Sequence, residues 1–304
     1  MASSVLTTVF LPIALAIIMF GLGLSLTVDD FTRVAKFPKA ALLALAVQVL
    51  VLPAVALGLV LAFDLSPVLA VGMMLLAASP GGTTANIFSH LAGGDVALNI
   101  TLTAINSVLA VVTLPIVVNL AIAGFLDGDA SLGLQPAKML QVFAIVLIPV
   151  AIGMAVNRRF PEFTARMRKP VKIASIVVLV LVILGALLAE RANLAGYLRD
   201  VGIAAVLLCV ISLALGYFIP RLAKVGEKQA IASSFEVGIH NSTLAITIAL
   251  SPALLNNAQM AVPAAVYGVL MFFPAGLLAW WITRRTAAAA APDSATSGAD
   301  SGGQ

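Results

Sequence analysis

The stretch Ser233–Thr247, SSFEVGIHNSTLAIT, decides how the chain is interpreted, because it places polar and ionisable side chains between two long apolar runs. It contains Glu236, His240 and Asn241, with Gly238 between the first two. If a helix ran through the stretch, Glu236 and His240 would share one face, four residues apart. An ionised group at bilayer depth costs several kcal/mol or more unless it is paired, solvated or coordinated. Polar residues at a weak point in a helix therefore predict a binding site rather than a lipid-facing span.

The composition indicates a polytopic helical membrane protein. Of the 304 residues, 62% are hydrophobic and 10% are charged, a balance that soluble domains do not have. The apolar runs are long and continuous, whereas a β-barrel would show short alternating segments. The single cysteine, Cys209, excludes a disulfide framework or a cysteine metal cluster. The cations cluster in loops, which indicates membrane topology rather than a nucleic-acid partner.

Nine hydrophobic segments predict nine transmembrane helices, since a span needs about 20 residues. The segments lie at roughly 5–27, 38–63, 67–91, 95–125, 137–157, 170–190, 197–220, 227–254 and 259–283. Because no Lys or Arg precedes Arg33, we interpret the first segment as a span and not as a cleaved signal. We predict one transporter domain over 1–285, with a core around 67–125 and 197–283 and a panel formed by the remaining helices. Residues 286–304 have the composition of a disordered cytoplasmic tail.

The distribution of the cations predicts the orientation. With nine spans, fourteen of the 17 Lys and Arg residues fall on one side, near 33–39, 158–172, 221–228 and 284–285. The other side holds Lys138, Arg191 and Arg199. The positive-inside rule places the first side in the cytoplasm. We therefore predict a multi-pass protein of the bacterial inner membrane with its N-terminus outside and its C-terminus inside.

A second polar interruption lies in the third segment, at Ser79–His90, SPGGTTANIFSH. Pro80, Gly81 and Gly82 disfavour a continuous helix, and a helix that restarts near Thr83 would aim free N–H groups at an anion. In the next segment, three polar residues share one helical face by their spacing of four and three: Asn99, Thr103 and Asn106.

The two interruptions lie about half a chain apart, in the third and eighth segments. A duplicated five-span unit whose first helix is missing would place them at equivalent positions. An odd-numbered unit inserts with opposite orientation when it is duplicated, so the fold predicted is an inverted repeat with two discontinuous, crossing helices. Secondary transporters have this architecture.

Three motifs resemble the bile acid:sodium symporter family. They are Pro80–Asn86 (PGGTTAN) with the following GDVAL at 94–98, Glu236–Asn241 (EVGIHN), and Ile17–Leu26 (IIMFGLGLSL). The resemblance extends over about residues 8–283 and implies the nine-span form of the family, in which the first of ten helices is absent. It also implies sodium as the coupling ion and a small organic anion as the substrate.

The resemblance implies a first sodium site at Asn86, Asn99, Thr103 and Glu236. Ala85 stands where the family usually has a hydroxyl, so that ligand is lost, and the amide oxygen of Asn99 could compensate for it.

The second sodium site implied by the resemblance comprises Gln48, Glu236, Val237, Ile239 and His240. The family has a glutamine at the position of His240. An imidazole lacks the oxygen that sodium prefers. It gains and loses a proton near neutral pH, so a proton enters as an alternative coupling ion.

For the substrate, the resemblance implies Thr83, Gly82 and Asn241, together with backbone N–H groups of the half-helices. The leading hypothesis is a sodium-coupled importer of an organic anion, such as a bile acid-like compound or a small acid of the pantoate type. The alternative is a proton-coupled carrier that uses His240 and Glu236. An intramembrane enzyme or a sensor is a remote alternative, because the aspartates fall at span ends or loops and no HExxH motif occurs.

Overall fold

The computed structural model consists of helices joined by short connections in the residues that it describes, which are 11–82, 84–126, 136–167, 194–251 and 254–290 with a few positions between 169 and 177. The helices are α1 Leu11–Ser25, α2 Val28–Thr32, α3 Pro38–Ala62, α4 Pro67–Ala78, α5 Thr84–Leu91, α6 Val96–Phe125, α7 Pro136–Arg159, α8 Leu194–Leu222, α9 Glu227–Gly238, α10 Ser242–Leu250, α11 Ala258–Leu270 and α12 Phe272–Ala290.

Within the described residues, four stretches are long and apolar enough to cross a membrane: Pro38–Ala62, Val96–Phe125, Gly196–Leu222 and Ala258–Arg285. They coincide with four of the nine predicted segments, and the chain is accordingly a multi-pass membrane protein. The count of nine stays a prediction, because most of segment 170–190 lies outside the described residues. The end of the predicted tail, 291–304, also lies outside them.

Helix α3 contains a wider π-helical turn at Val47–Val51. Pro53 lies two residues after this turn and cannot donate to the carbonyl of Val49, four residues earlier, which is consistent with the local widening. The turn holds the buried side chain of Gln48, in a helix whose other polar residue is the exposed Lys39 at its start.

Small residues allow close helix packing at three places. A Cβ at Gly23 would overlap the backbone of Val150, where α1 packs on α7, and a Cβ at Gly72 would overlap the carbonyl of Met260, where α4 packs on α11. A Cβ at Gly216 would lie 2.8 Å from the Cα of Ser234 in α9. Helix α3 packs against α4, α8 and α9, and thus joins the helices around the two interruptions. Such contacts are the usual means of association for apolar helices in lipid.

Both interrupted segments are broken helices, as predicted. The first is α4 followed by α5, and the second is α9 followed by α10. Helix α5 packs against α9, and α10 packs against α4, so each half of one broken helix contacts the opposite half of the other. The two segments therefore cross at their breaks. We name these the first break (Ser79–Gly82) and the second break (Ile239–Asn241).

Candidate functional site

The two breaks are joined by backbone hydrogen bonds. The N–H of Gly82 donates to the carbonyl of Ile239 (2.6 Å), and the N–H of Asn241 donates to the carbonyl of Pro80 (2.8 Å). These bonds form an isolated antiparallel bridge between Gly81 and His240. Backbone polar groups inside a membrane need partners within the protein. Each break supplies those partners for the other, which permits two non-helical segments at this depth.

The local sequence explains why each helix stops. Ser79 precedes a proline and is extended (φ −71°, ψ 146°), as steric clash with the proline ring requires. The second break begins at Ile239, which is also outside the helical region (φ −116°, ψ 89°). Asn241 then starts α10, because its Oδ1 accepts the N–H of Leu244 (3.0 Å) as an N-cap.

The second break separates Glu236 from His240. Glu236 and His240 would share a face only in a continuous helix, but α9 ends at Gly238. The carboxylate of Glu236 therefore points to α6, while the ring of His240 contacts Tyr267 on α11.

The carboxylate of Glu236 is fully buried beneath the crossing. Its Oε2 accepts the hydroxyl of Thr103 (2.5 Å), and its Oε1 accepts Nδ2 of Asn106 (3.1 Å). The backbone N–H of Gly81 adds a third hydrogen bond. In the described part of the chain, no Lys or Arg pairs with this carboxylate. A negative charge at this position is thus compensated by neutral donors alone, a situation that favours a bound cation.

The first break leaves room for this carboxylate. A Cβ at Gly81 would overlap both carboxylate oxygens of Glu236. At Gly82, a Cβ would come no closer than 3.2 Å, to the carbonyl of His240. Of the two adjacent glycines, Gly81 is therefore the one that must lack a Cβ to leave space for the Glu236 carboxylate.

Helix α6 presents the polar face that the spacing predicted. Thr103 and Asn106 both contact Glu236, and Nδ2 of Asn99 donates to the carbonyl of Ala232 (2.7 Å). The Oδ1 of Asn99 is buried without a hydrogen-bond partner. Together, Asn99, Thr103 and Glu236 form an oxygen-rich cluster, which suits a hard cation such as sodium.

The other residues of the first predicted sodium site lie on α5. Asn86 is in its first turn and partly buried, and the fully buried Ala85 carries no hydroxyl. Helix α5 packs against both α6 and α9, so this turn lies against the helices that hold the cluster.

Two members of the second predicted sodium site already take part in hydrogen bonds. Nε2 of Gln48 donates to the carbonyl of Ser79 (2.9 Å), and the Ile239 carbonyl accepts the N–H of Gly82. The Oε1 of Gln48 is buried without a partner. Val237 is fully buried in α9.

The hydrogen bonds around His240 favour one tautomer. Its Nδ1 lies 2.9 Å from the hydroxyl of Tyr267, and that hydroxyl lies 2.7 Å from the carbonyl of Gly238, which can only accept. When the Tyr267 hydroxyl donates to this carbonyl, Nδ1 carries the hydrogen of the His240–Tyr267 bond. The remaining nitrogen, Nε2, is an acceptor, and it is buried without a partner.

Of the predicted substrate residues, Gly82 and Asn241 take part in the bridge between the breaks, and the side chain of Asn241 caps α10. Thr83 lies outside the described residues. The half-helices α5 and α10 begin directly after the breaks.

Sequence reasoning omitted three residues from the site: Gly81, Asn106 and Tyr267. Asn106 had a detectable signal, because its spacing places it on the face of Thr103. Gly81 belonged to the recognised motif, but only three-dimensional packing shows that its hydrogen faces a carboxylate. Tyr267 had no distinctive pattern around it. A buried tyrosine hydroxyl needs a partner, but the sequence does not indicate which one.

Comparison with known proteins gives a consistent result. The model of the Sodium Bile acid symporter family matches residues 12–196, which is more than half of the chain. The chain is 27% identical over 276 residues to "Uncharacterized sodium-dependent transporter YocS" of Bacillus subtilis, covering 91% of this chain and 84% of that protein.

Two eukaryotic relatives are similarly distant. "Probable sodium/metabolite cotransporter BASS1, chloroplastic" of Arabidopsis thaliana is 30% identical over 90% of this chain and 67% of its own length. The human "Ileal sodium/bile acid cotransporter" is 28% identical over 81% of this chain and 70% of its own length. The chain belongs to the sodium bile acid symporter family, as the motifs indicated.

Proposed function

We propose that this member of the sodium bile acid symporter family is a sodium-coupled symporter that imports an organic anion by alternating access. We place it in the bacterial inner membrane with the N-terminus outside and the C-terminus in the cytoplasm. The observation that supports this most strongly is the buried Glu236 carboxylate, which neutral groups from the opposite break and from α6 surround. This arrangement suits a cation that binds and leaves during each cycle, rather than a permanent ion pair.

In this proposal, sodium at Asn86, Asn99, Thr103 and Glu236 would neutralise the carboxylate. Because Glu236 also contacts Thr103 and the backbone of Gly81, the cation would hold α6, α9 and the first break in one arrangement. If that arrangement binds substrate better, sodium raises substrate affinity, and the substrate raises sodium affinity by the same factor. Empty carrier would then change conformation inefficiently.

The anion would bind at the crossing, near Gly82, Thr83 and Asn241. Helices α5 and α10 start there, and the N-terminal ends of helices attract negative charge. The names of the relatives mention bile acid in the human protein and a metabolite in the Arabidopsis protein. We propose a bile acid-like compound or a small carboxylic acid of the pantoate type as the substrate class.

The decisive experiment is uptake into proteoliposomes of labelled taurocholate, pantoate and pyruvate. Each acid is supplied with an inward sodium gradient and, separately, with an inward proton gradient. We expect one acid to accumulate with sodium, and Glu236→Gln to reduce that uptake at least about a hundredfold, the equivalent of losing 2.7 kcal/mol. Gln keeps the shape of the side chain but removes its charge.

The matched control is Glu227→Gln. Glu227 is another carboxylate of α9, but it is partly exposed and pairs with Arg221 at 3.1 Å, so uptake should stay close to wild type. If Glu236→Gln transports normally along a sodium gradient, the proposed role of this carboxylate is wrong.

A second candidate is proton-coupled transport through His240 and Glu236. The observation in its favour is the buried, unpartnered Nε2 of His240, which has a lone pair available for a proton. This hypothesis predicts uptake that a proton gradient alone drives and that His240→Gln abolishes. Under sodium coupling, His240→Gln supplies an amide oxygen and should leave sodium-driven uptake within about threefold of wild type, a difference below 1 kcal/mol.

A further inference from the structure

We propose that a second coupling cation binds at the amide oxygens of Asn106 and Gln48, beside Glu236, instead of at His240. This inference rests on the proposed sodium-coupled function. It changes the assignment of the second site: Asn106, which the family resemblance does not include, becomes a cation ligand in this chain.

The first argument is the state of the two amides. Nδ2 of Asn106 donates to Glu236, and Nε2 of Gln48 donates to the carbonyl of Ser79. The oxygen of each amide has no hydrogen-bond partner, although the side chains are only 1% and 4% exposed. A buried acceptor without a partner costs about 1–3 kcal/mol. A cation that accepts both oxygens as ligands would remove this cost twice.

The second argument is that both side chains line one recess beside the first break. The walls of this recess are otherwise mainly apolar, and its lining includes Gln48, Ala78, Pro80, Asn106, Ala110 and Thr113. The Thr113 hydroxyl donates to the Leu109 carbonyl of its own helix. The two amides therefore supply the free side-chain oxygens of this lining, and oxygen ligands are those that hard cations prefer.

The third argument comes from the geometry of α6. Asn99 and Asn106 are seven residues apart on one face, or about 10.5 Å along the axis at 1.5 Å per residue. Thr103 lies between them and bonds Glu236. The unpartnered oxygens of the two asparagines thus belong to opposite ends of the polar face. One carboxylate could serve two cations there, one toward Asn99 and one toward Asn106, without placing the cations in contact.

His240 is a poor ligand for the second cation. Its Nδ1 is used in the hydrogen bond to Tyr267, so the lone pair that remains is on nitrogen. The carbonyl of Gly238, which could have served nearby, accepts hydrogen bonds from Tyr267 and from Cys209 (3.5 Å). The Gly238 carbonyl and the Tyr267 hydroxyl beside His240 are used in hydrogen bonds, whereas the amide oxygens of Asn106 and Gln48 are not.

The test is equilibrium binding of radioactive sodium to purified protein, with calorimetry for affinity and no transport involved. Wild type should bind two sodium ions per chain. Asn106→Leu should bind one sodium ion fewer at the sodium concentrations used. The affinity of the second site for sodium should fall at least about tenfold, which corresponds to 1.4 kcal/mol. Asn106→Asp should restore the second ion, since it keeps an oxygen at this position and adds a charge.

Thr101→Val is the matched control. Thr101 is a fully buried polar residue of the same helix, and its hydroxyl bonds the carbonyl of Ala97 (2.9 Å), so sodium binding should not change. Asn99→Ala provides a comparison, because it should weaken the binding of sodium at the first site.

The outcomes separate three cases. If Asn106→Leu still binds two ions with wild-type affinity while Asn99→Ala weakens one, the second site is elsewhere and the proposed function stands. If Asn106→Leu loses the ion and Asn106→Asp does not restore it, Asn106 only positions Glu236 and the ligand assignment is wrong. If folded wild type binds no sodium at all, the proposed function itself fails together with this site.

Discussion

The first and second breaks occupy equivalent places in the two broken helices, but they contribute different things. The first break, Pro-Gly-Gly, gives backbone groups and space: the N–H groups of Gly81 and Gly82 each donate to the other segment, and Gly81 leaves room for a carboxylate. The second break and the end of α9 give the side chains that carry chemistry, Glu236 and His240.

Two crossing breaks therefore need not carry the same kinds of side chain. One break can carry the charged residue if the other break has no side chain in the space that the charged residue fills. A bulky residue at Gly81 would exclude the carboxylate, and a second carboxylate there would repel the first. The asymmetry therefore follows from the steric and electrostatic requirements of burying one carboxylate between two crossed segments.

The comparison of the two breaks predicts that, among substitutions at Gly81, Tyr267 and Asn241, the change at Gly81 has the largest effect. In Gly81→Ala, the new methyl group would overlap the Glu236 carboxylate, so the side chain or the break must move. Overpacking of this kind costs about 1–3 kcal/mol. We expect a loss of thermal stability of that order in detergent, and at least about tenfold weaker sodium binding by calorimetry, or 1.4 kcal/mol.

Two controls make this prediction specific. Gly58→Ala in α3 meets no atom within 4 Å and should leave stability unchanged or slightly raised. The carboxylate is absent in the Glu236→Ala variant. Adding Gly81→Ala to that variant should therefore lower thermal stability less than Gly81→Ala does in the wild type. If the two substitutions add without coupling, the overlap between methyl and carboxylate does not explain the glycine.

Both breaks and the polar face of α6 could be predicted from the sequence. Pro80 with its two glycines excludes a continuous helix by local sterics, and the spacing of Asn99, Thr103 and Asn106 fixes a shared face by helical periodicity. These inferences use residues close together in the chain, where the geometry of one helix is sufficient.

The partners of the site residues could not be predicted in the same way. The Glu236–Thr103 bond joins residues 133 positions apart, and the His240–Tyr267 bond joins residues 27 positions apart on different helices. A continuous helix would place Glu236 and His240 on one face, but α9 ends between them, and the sequence predicts this interruption without the side-chain directions on either side of it. Crossing geometry and packing decide these contacts, and neither follows from periodicity.

Tyr267→Phe tests whether the second break depends on its own internal bonds. The change removes the hydrogen bond to the Gly238 carbonyl and leaves Nδ1 of His240 without a partner. Leaving buried groups unsatisfied costs about 1–3 kcal/mol, so thermal stability in detergent should fall by that order. The comparison is Tyr217→Phe, whose hydroxyl bonds the partly exposed Glu227 far from the breaks, and which should lose less. Equal losses would mean that the bonds of Tyr267 do not specially support the break.

The smallest expected effect concerns how the second half-helix starts. Asn241→Ala removes the Oδ1 that caps Leu244, and the loss of an N-cap costs about 1 kcal/mol. Asn241→Asp keeps an acceptor at this position and should recover that stability in thermal unfolding. The same pair separates the cap from a role in binding the anion, because Asp adds a negative charge where an anion is proposed to bind. Asn241→Asp should therefore be as stable as wild type but poorer in sodium-driven uptake. If it transports like wild type, the side chain of Asn241 serves the helix alone, and the substrate lies elsewhere at the crossing.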